Sequence, residues 1–97
     1  RNAMLFTSEG IMNMRNEKWK TDFSPIDPNG TAEVDTLYTK AYLRHLFISQ
    51  EILALQIASI HNLSFYLELM RRARQHIIEG DFLSWKNRMV EKLGRRL

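Results

Sequence analysis

The 97-residue sequence predicts a mainly α-helical domain in which a short N-terminal β-hairpin precedes three or four helices. Two observations support this fold class. Apolar residues recur at steps of three and four over most of the chain beyond residue 36, which is the period of an amphipathic helix. Near the N-terminus, two short apolar runs flank a connection that contains glycine, which is typical of a hairpin. The hydrophobic fraction of 44% is ordinary for a globular protein.

Residues 4–30 are predicted to hold the hairpin and a turn segment. The candidate strands are Met4–Thr7 and Ile11–Met14, and Ser8-Glu9-Gly10 joins them. An isolated two-stranded hairpin is marginal in water, so we expect it to pack on another part of the protein. The turn residues that follow predict a boundary near residue 30. They are Pro25, Pro28, Asn29 and Gly30.

Residues 31–97 are predicted to form a helical subdomain. The first helix spans Thr36–Phe47, and Asp35 or Thr36 caps its start by accepting backbone N–H bonds. The second runs from about Ser49 to Glu79, with a break allowed near residues 62–64, where helix propensity is weaker. Its apolar stripe consists of Leu53, Ile57, Ile60, Leu63, Leu67, Met70 and Ile77.

A last helix is predicted after Gly80, a residue that suits the position following a helix end. Asp81 is placed to cap this helix. Its inward-facing residues are Phe82, Trp85, Met89 and Leu93. The aromatic residues that lie on or beside apolar positions are predicted to belong to the core rather than to stack on bases. These are Trp19, Phe65 and Trp85.

The net charge of +3 is unevenly placed along the chain. From Arg71 onward, eight basic residues face three acids, which gives this end an excess of positive charge. Such a local field attracts phosphate groups. The residues that we expect to bind nucleic-acid phosphates are Arg71, Arg72, Arg74, Lys86 and Arg88. The alternative from charge alone is an ordinary solvated helix face.

Several classes of function have no sequence support. The chain has no cysteine, which excludes disulfides, thiolate metal sites and cysteine nucleophiles. It also contains no glycine-rich phosphate loop and no HExxH motif. No uninterrupted apolar run approaches the ~20 residues of a membrane span, and no signal peptide is visible, so we expect no membrane association. The composition fits a reducing, cytoplasmic setting.

One segment carries a specific resemblance. Asp27-Pro28-Asn29-Gly30-Thr31-Ala32-Glu33-Val34-Asp35 is followed by Thr36-Leu37-Tyr38-Thr39-Lys40-Ala41-Tyr42-Leu43-Arg44-His45-Leu46, and His61-Asn62-Leu63 lies farther on. This order resembles the C-terminal region of the tRNA-guanine transglycosylases, also called queuine tRNA-ribosyltransferases. Most bacterial members have Asp-Pro, then Cys-x-Cys-x-x-Cys, a Tyr-Ser-Arg-Ala-Tyr-Leu-like helix and a His-Asn-Leu. The resemblance implies that the chain corresponds to the end of a TIM-barrel enzyme.

The same resemblance concerns a zinc site whose ligands are three cysteines and one histidine. Here Gly30, Ala32 and Asp35 stand at the cysteine positions, and only His61 keeps its family residue. One imidazole and one carboxylate cannot complete a tetrahedral zinc site. We therefore expect no metal and no cofactor, and we expect His61 to pack on its helix with a local hydrogen bond.

The family also implies partners. Tyr38, Tyr42 and His45 lie at i, i+4 and i+7 of a helix face that the family uses in its homodimer interface, although spacing alone equally allows core packing. The C-terminal region lies near bound tRNA in the family, which favours contacts from the basic residues to the RNA backbone. The barrel of the parent enzyme is the third implied partner.

Three functions remain open from the sequence. The first is the C-terminal fragment of a tRNA-guanine transglycosylase, which serves dimerisation and tRNA backbone binding. The family's nucleophile and base pocket lie upstream of the matching region, so we expect no catalytic residue here and no activity from this chain alone. The second is a free-standing basic helical nucleic-acid-binding module, and the third is a structural interaction domain. Arg1-Asn2-Ala3 has the form of a tag remnant and of the family's Arg-Asn-Gly, and these residues carry no functional prediction.

Overall fold

The computed structural model describes residues 3–97 and confirms a mainly helical fold with an N-terminal antiparallel hairpin. Its elements are β1 (Met4–Thr7), β2 (Gly10–Asn13), a 3-10 turn (Glu17–Trp19), α1 (Val34–Leu37), α2 (Lys40–Ile48), α3 (Ile52–Glu79) and α4 (Phe82–Leu93). The molecule measures 46 × 23 × 22 Å. The long axis reflects α3, since its 28 residues at 1.5 Å per residue extend for about 42 Å.

The hairpin turns more tightly than predicted, because only Ser8 and Glu9 separate the strands. Gly10, the first residue of β2, has a φ of +146°, and a Cβ there would come within 2.7 Å of the Arg95 carbonyl oxygen. The C-terminal residues run along β2: the Ile11 N–H donates to the Arg95 oxygen at 2.7 Å, and the Leu97 N–H donates to the Ile11 oxygen at 2.9 Å. Residues 95–97 therefore cover the outer edge of β2.

The core lies between the hairpin, α2 and the first half of α3. Its largest fully buried apolar side chains are Phe47, Leu5, Met12, Met14, Ile26, Leu43 and Ile57. Trp19 and Trp85 are also buried, which confirms their predicted core role. Phe65 is only partly buried and stacks on His61 with ring centroids 6.4 Å apart. Ala3 is buried as well, and its carbonyl accepts the Met14 N–H at 2.9 Å.

The predicted first helix, Thr36–Phe47, is wrong as one element. The chain instead forms α1 and α2, with Tyr38 extended between them (φ −115°, ψ 151°). The Tyr38 carbonyl accepts the Ile26 N–H at 3.1 Å, so pairing with the proline-containing segment outweighs helix continuation. Thr39, not Asp35 or Thr36, caps α2 by accepting the Tyr42 N–H at 3.1 Å.

The second predicted helix is continuous, and the allowed break near residues 62–64 does not occur. The buried residues of its core face are Ala54, Ile57, Ala58 and His61. Much of the predicted apolar stripe is exposed instead: Ile60, Leu63, Leu67, Met70 and Ile77 are each 48–62% accessible. These five residues are called the apolar stripe of α3 below.

By length and composition, α3 is apolar enough to cross a membrane, which the sequence did not predict. Its N-terminal half nevertheless packs into the protein core, where Ala54, Ile57 and His61 are almost fully buried. These contacts belong to a core helix of a globular domain.

The α3–α4 connection follows the prediction in part. Gly80 ends α3 in the left-handed conformation (φ 84°). Asp81 occupies the N-cap position of α4, but its side chain makes no capping bond there. Its carboxylate instead hydrogen-bonds to His76 Nδ1 at 2.7 Å, and His76 stacks on Trp85. Along α4, Phe82, Met89 and Leu93 are partly buried beside Trp85, as predicted.

Candidate functional site

Asp35 and His61 meet in the interior, and both are only 1% exposed. Asp35 belongs to α1 and His61 to the middle of α3, so the pair joins two helices across 26 residues of sequence. Asp35 Oδ1 lies within hydrogen-bonding distance of His61 Nδ1, and Asp35 Oδ2 accepts the Ala32 N–H at 3.0 Å. The partner of His61 is thus distant in sequence, and the predicted local hydrogen bond is wrong.

His61 is saturated at both ring nitrogens. Its Nε2 lies 2.7 Å from the Phe6 carbonyl oxygen, which accepts only, so Nε2 must donate. The Asp35 carboxyl group at Nδ1 favours the protonated ring, in which both nitrogens donate. Burial alone lowers the pKa of His61, but the hydrogen bond and charge of Asp35 and the Phe6 carbonyl outweigh it, and the pKa is raised.

Asn62 extends this contact to β1. Its Oδ1 accepts the Phe6 N–H at 3.1 Å, and its Nδ2 donates to the Met4 carbonyl at 3.1 Å. The side chains of His61 and Asn62 together bind the outer edge of β1 in the manner of a neighbouring strand. No role in the site was predicted for Asn62 from the sequence. The available signal was two adjacent polar residues within a long apolar helix.

The loop before α1 closes over the pair. The Gly30 N–H donates to the Asp27 carbonyl at 3.0 Å, and the Asp27 N–H donates to the Asp35 carbonyl at 3.1 Å. Burial raises the pKa of the Asp27 carboxyl, although a hydrogen bond from the Asn29 N–H opposes this shift. A cavity of about 50 Å³ lies beside the pair, and its walls include Asp27, His61 and Arg72.

Only two of the five basic residues predicted to bind phosphate lie together. Arg71 and Arg72 converge on Glu68: Arg71 Nη2 is 2.6 Å and Arg72 Nε is 3.1 Å from Glu68 Oε2. The bond from Arg71, followed by that from Arg72, lowers the pKa of Glu68 to about 2. Glu68 therefore stays ionised and offsets one of the two guanidinium charges.

The other three basic residues are exposed and make no ion pair within residues 3–97. Arg74 lies one turn beyond Arg71 on α3. Lys86 and Arg88 are two residues apart on α4, so they diverge by about 200° around its axis. The five residues thus surround the α3–α4 pair rather than forming one compact patch.

Two of the three residues predicted for self-association lie together. The rings of Tyr38 and Tyr42 stack with centroids 5.6 Å apart and an interplanar angle of 14°. Tyr38 is partly buried and Tyr42 is 42% exposed, so the stack reaches the surface. His45 is exposed on the same helix as Tyr42. Beside Tyr38, a shallow groove is walled by apolar residues of α1 and α3 that include Val34, Leu53 and Ile60.

Comparisons with known proteins agree with the resemblance seen in the sequence. The family model described as queuine tRNA-ribosyltransferase matches residues 1–95. A queuine tRNA-ribosyltransferase of Aquifex aeolicus is 41% identical over 97 residues, which is 100% of this chain and 26% of that protein. One from Helicobacter pylori is 45% identical over 99% of this chain and 26% of its own length. One from Koribacter versatilis is 48% identical over 84% of this chain and 21% of its own length. The chain spans about a quarter of these relatives, and it matches their C-terminal part.

Proposed function

Because this chain belongs to the queuine tRNA-ribosyltransferase family, we propose that it acts as the C-terminal subdomain of an enzyme that exchanges guanine for a queuine-type base in tRNA. The observation that carries this proposal is the match over residues 1–95, with identities of 41–48% to relatives of that name. Residues 31–97 serve tRNA backbone binding and dimerisation, and the catalytic groups are supplied by the barrel of the parent enzyme. The proposed location of the enzyme is the cytoplasm.

The first role is to hold tRNA through its phosphates. Arg71, Arg72 and Arg74 lie within about one turn of α3, and all three residues are exposed. Phosphate contacts position an RNA without reading its bases, so this role requires no base-specific pocket in the chain. Glu68 competes with phosphate for Arg71 and Arg72, because its carboxylate already accepts hydrogen bonds from both. Binding therefore redistributes these bonds.

Salt-dependent binding tests the tRNA role. In filter binding or anisotropy, replacing Arg71, Arg72 and Arg74 with Ala should weaken binding to unrelated tRNAs alike. It should also flatten the slope of log affinity against log salt by about 2, since each phosphate contact contributes roughly 0.7–0.9. Glu68→Gln should strengthen binding, because it removes the internal competitor. The control removes three exposed basic residues near the 3-10 turn, namely Arg15, Lys18 and Lys20.

The outcomes separate the open functions. Equal losses in the triple variant and its control indicate attraction by net charge alone and contradict the assigned surface. A chain that binds no tRNA at low salt is better described as a structural interaction domain. Binding as tight as that of the full-length enzyme would favour a free-standing nucleic-acid-binding module.

The second role is to pack against other protein surfaces. The apolar stripe of α3 is a continuous exposed face, because its members follow steps of three, four and seven residues. Exposed apolar patches of this kind mark interaction sites. We assign the stripe to the barrel of the parent enzyme and the Tyr38–Tyr42 stack, with His45, to a two-fold contact between copies. Aromatic anchors near the centre of an interface often contribute ~2 kcal/mol or more.

Sedimentation equilibrium tests self-association. The 97-residue chain should dimerise, and the double variant Tyr38→Ala, Tyr42→Ala should dissociate at least tenfold more readily, because each substitution acts twice in a two-fold contact. Leu83→Ala is the control, since Leu83 is 62% exposed on α4, outside the assigned surface. A wild-type monomer at all concentrations rules out dimerisation. A folded double variant that dimerises normally rules out this surface.

A further inference from the structure

The Asp35–His61 pair occupies the place where the family resemblance implies a zinc centre. Zinc in such a structural site takes four ligands in a tetrahedron. Gly30 and Ala32 offer no side-chain donor at two of the corresponding positions. Both ring nitrogens of His61 are engaged by Asp35 and Phe6, and both carboxylate oxygens of Asp35 are engaged as well. The residues present do not fit a zinc ion.

Gly30 leaves the space that the Asp35 side chain occupies. A Cβ built on Gly30 would overlap the Asp35 carboxylate and would lie 2.8 Å from the Asp35 Cβ. The backbone of Gly30 is not in the left-handed region, where only Gly10 and Gly80 are found among the described glycines. Its backbone conformation therefore does not require glycine. Glycine is required because a larger residue would overlap the Asp35 carboxylate. The space of one side chain at position 30 is filled by the side chain of residue 35.

These contacts connect three separate parts of the fold. Asp35 holds the loop before α1 by accepting the Ala32 N–H, and His61 ties this helix to α3. The second ring nitrogen of His61 then reaches β1 at the Phe6 carbonyl. The buried pair is fully hydrogen-bonded, which is the condition under which buried polar groups of this kind are tolerated.

We propose that Gly30, Asp35 and His61 form a metal-independent centre that replaces the family's zinc ion as the link between α1, α3 and β1. The hydrogen-bonded Asp35–His61 pair takes the place of the metal ion as the connection, and the Asp35 carboxylate occupies the position of one thiolate. The glycine supplies the room that the carboxylate needs. The substitutions at positions 30 and 35 are thus one coupled change rather than two independent losses.

The first experiment uses the unmodified chain. Urea unfolding is followed by circular dichroism after dialysis against a strong zinc chelator, and again with equimolar zinc added. The urea midpoint should be the same in both conditions, and elemental analysis should find well below one zinc per chain. A lower midpoint in chelator, or one zinc per chain that raises the midpoint, would overturn the proposal.

The second experiment tests the coupling between positions 30 and 35. Gly30→Ala should lower the folding equilibrium constant by about tenfold or more when Asp35 is present. In the Asp35→Ala background, the same substitution should change it less than about twofold, because the overlapping carboxylate is gone. Gly94→Ala is the control, since a Cβ there meets no atom closer than 3.5 Å. An equal cost of Gly30→Ala in both backgrounds, or a cost no larger than that of Gly94→Ala, would refute the coupling. If Asp35→Ala does not fold, the comparison of Gly30→Ala with Gly94→Ala and the zinc measurements still decide the proposal.

Discussion

Replacing Asn62 with Ala should detach the outer edge of β1 from α3. Asn62 makes two hydrogen bonds to the strand backbone, one from the Phe6 N–H and one to the Met4 carbonyl, both at 3.1 Å. The substitution removes both bonds and leaves the adjacent bond from His61 Nε2 to the Phe6 carbonyl in place. The hairpin then depends on one side chain of α3 for its edge contacts.

The expected cost follows from these contacts. Each hydrogen bond contributes roughly 1 kcal/mol net, so losing both costs about 2 kcal/mol. Alanine is the better helix former, and this gain returns up to about 0.7 kcal/mol in the middle of α3. Phe6 is 43% exposed, so water can reach the released backbone groups and no full desolvation penalty applies. The net loss in the free energy of unfolding should be about 1–1.5 kcal/mol.

Urea unfolding and hydrogen exchange measure this effect. The variant should lose stability by that amount, and the Phe6 amide should exchange faster than other protected amides of the hairpin. Asn87→Ala is the matched control, because Asn87 is exposed on α4 and its replacement should be neutral or slightly stabilising. A loss below about 0.5 kcal/mol in Asn62→Ala, or unchanged exchange at Phe6, would show that the amide does not hold the strand.

Two further predictions concern the buried pair. Burial lowers the pKa of His61, but Asp35 and, more weakly, Asp27 raise it, and the net shift is upward. Protonation of His61 therefore stabilises the fold, and this contribution is fully present below the ordinary histidine pKa of about 6.5. The stability difference between wild type and His61→Gln should therefore shrink as pH rises through the folded-state pKa, and a difference that is flat or grows with pH would contradict the charge assignment. The triple variant Gly30→Cys, Ala32→Cys, Asp35→Cys restores the family's ligand types around His61 and should bind one zinc per chain, with a urea midpoint that falls in chelator. A triple variant that folds without zinc and has the same urea midpoint with and without chelator would show that the loop no longer matches a tetrahedral site.

The helices were predictable where local signals agree with tertiary packing. The three- and four-residue period, followed by Gly80, located α3 and its end closely. The division of the first predicted helix was not predictable, because Tyr38 is held extended by Ile26, twelve residues earlier. Helix propensity describes a segment alone, whereas this pairing is a tertiary contact. The continuity of α3 through Asn62 has the same cause, since its polar residues are satisfied by β1 and not by the helix backbone.

The candidate site was predictable in identity but not in arrangement. Asp35 and His61 were both singled out by comparison with a ligand pattern, yet nothing in the linear sequence indicated that they bind each other. The role of Gly30 was likewise hidden, since its requirement arises from the space that Asp35 occupies and not from turn conformation. The apolar period of α3 indicated an amphipathic helix but did not identify the exposed side. The face that packs inward presents Ala54, Ala58 and His61 along with Ile57.

The two-stranded hairpin is enclosed along both of its edges. Asn62 and His61 occupy the hydrogen-bonding groups of β1, and the backbone of Arg95 and Leu97 occupies those of Ile11 on β2. A sheet edge with unpaired groups invites strand addition by other chains and leads towards fibrous aggregates. Since both edges are occupied here, strand addition by another chain is hindered by α3 on one side of the hairpin and by residues 95–97 on the other.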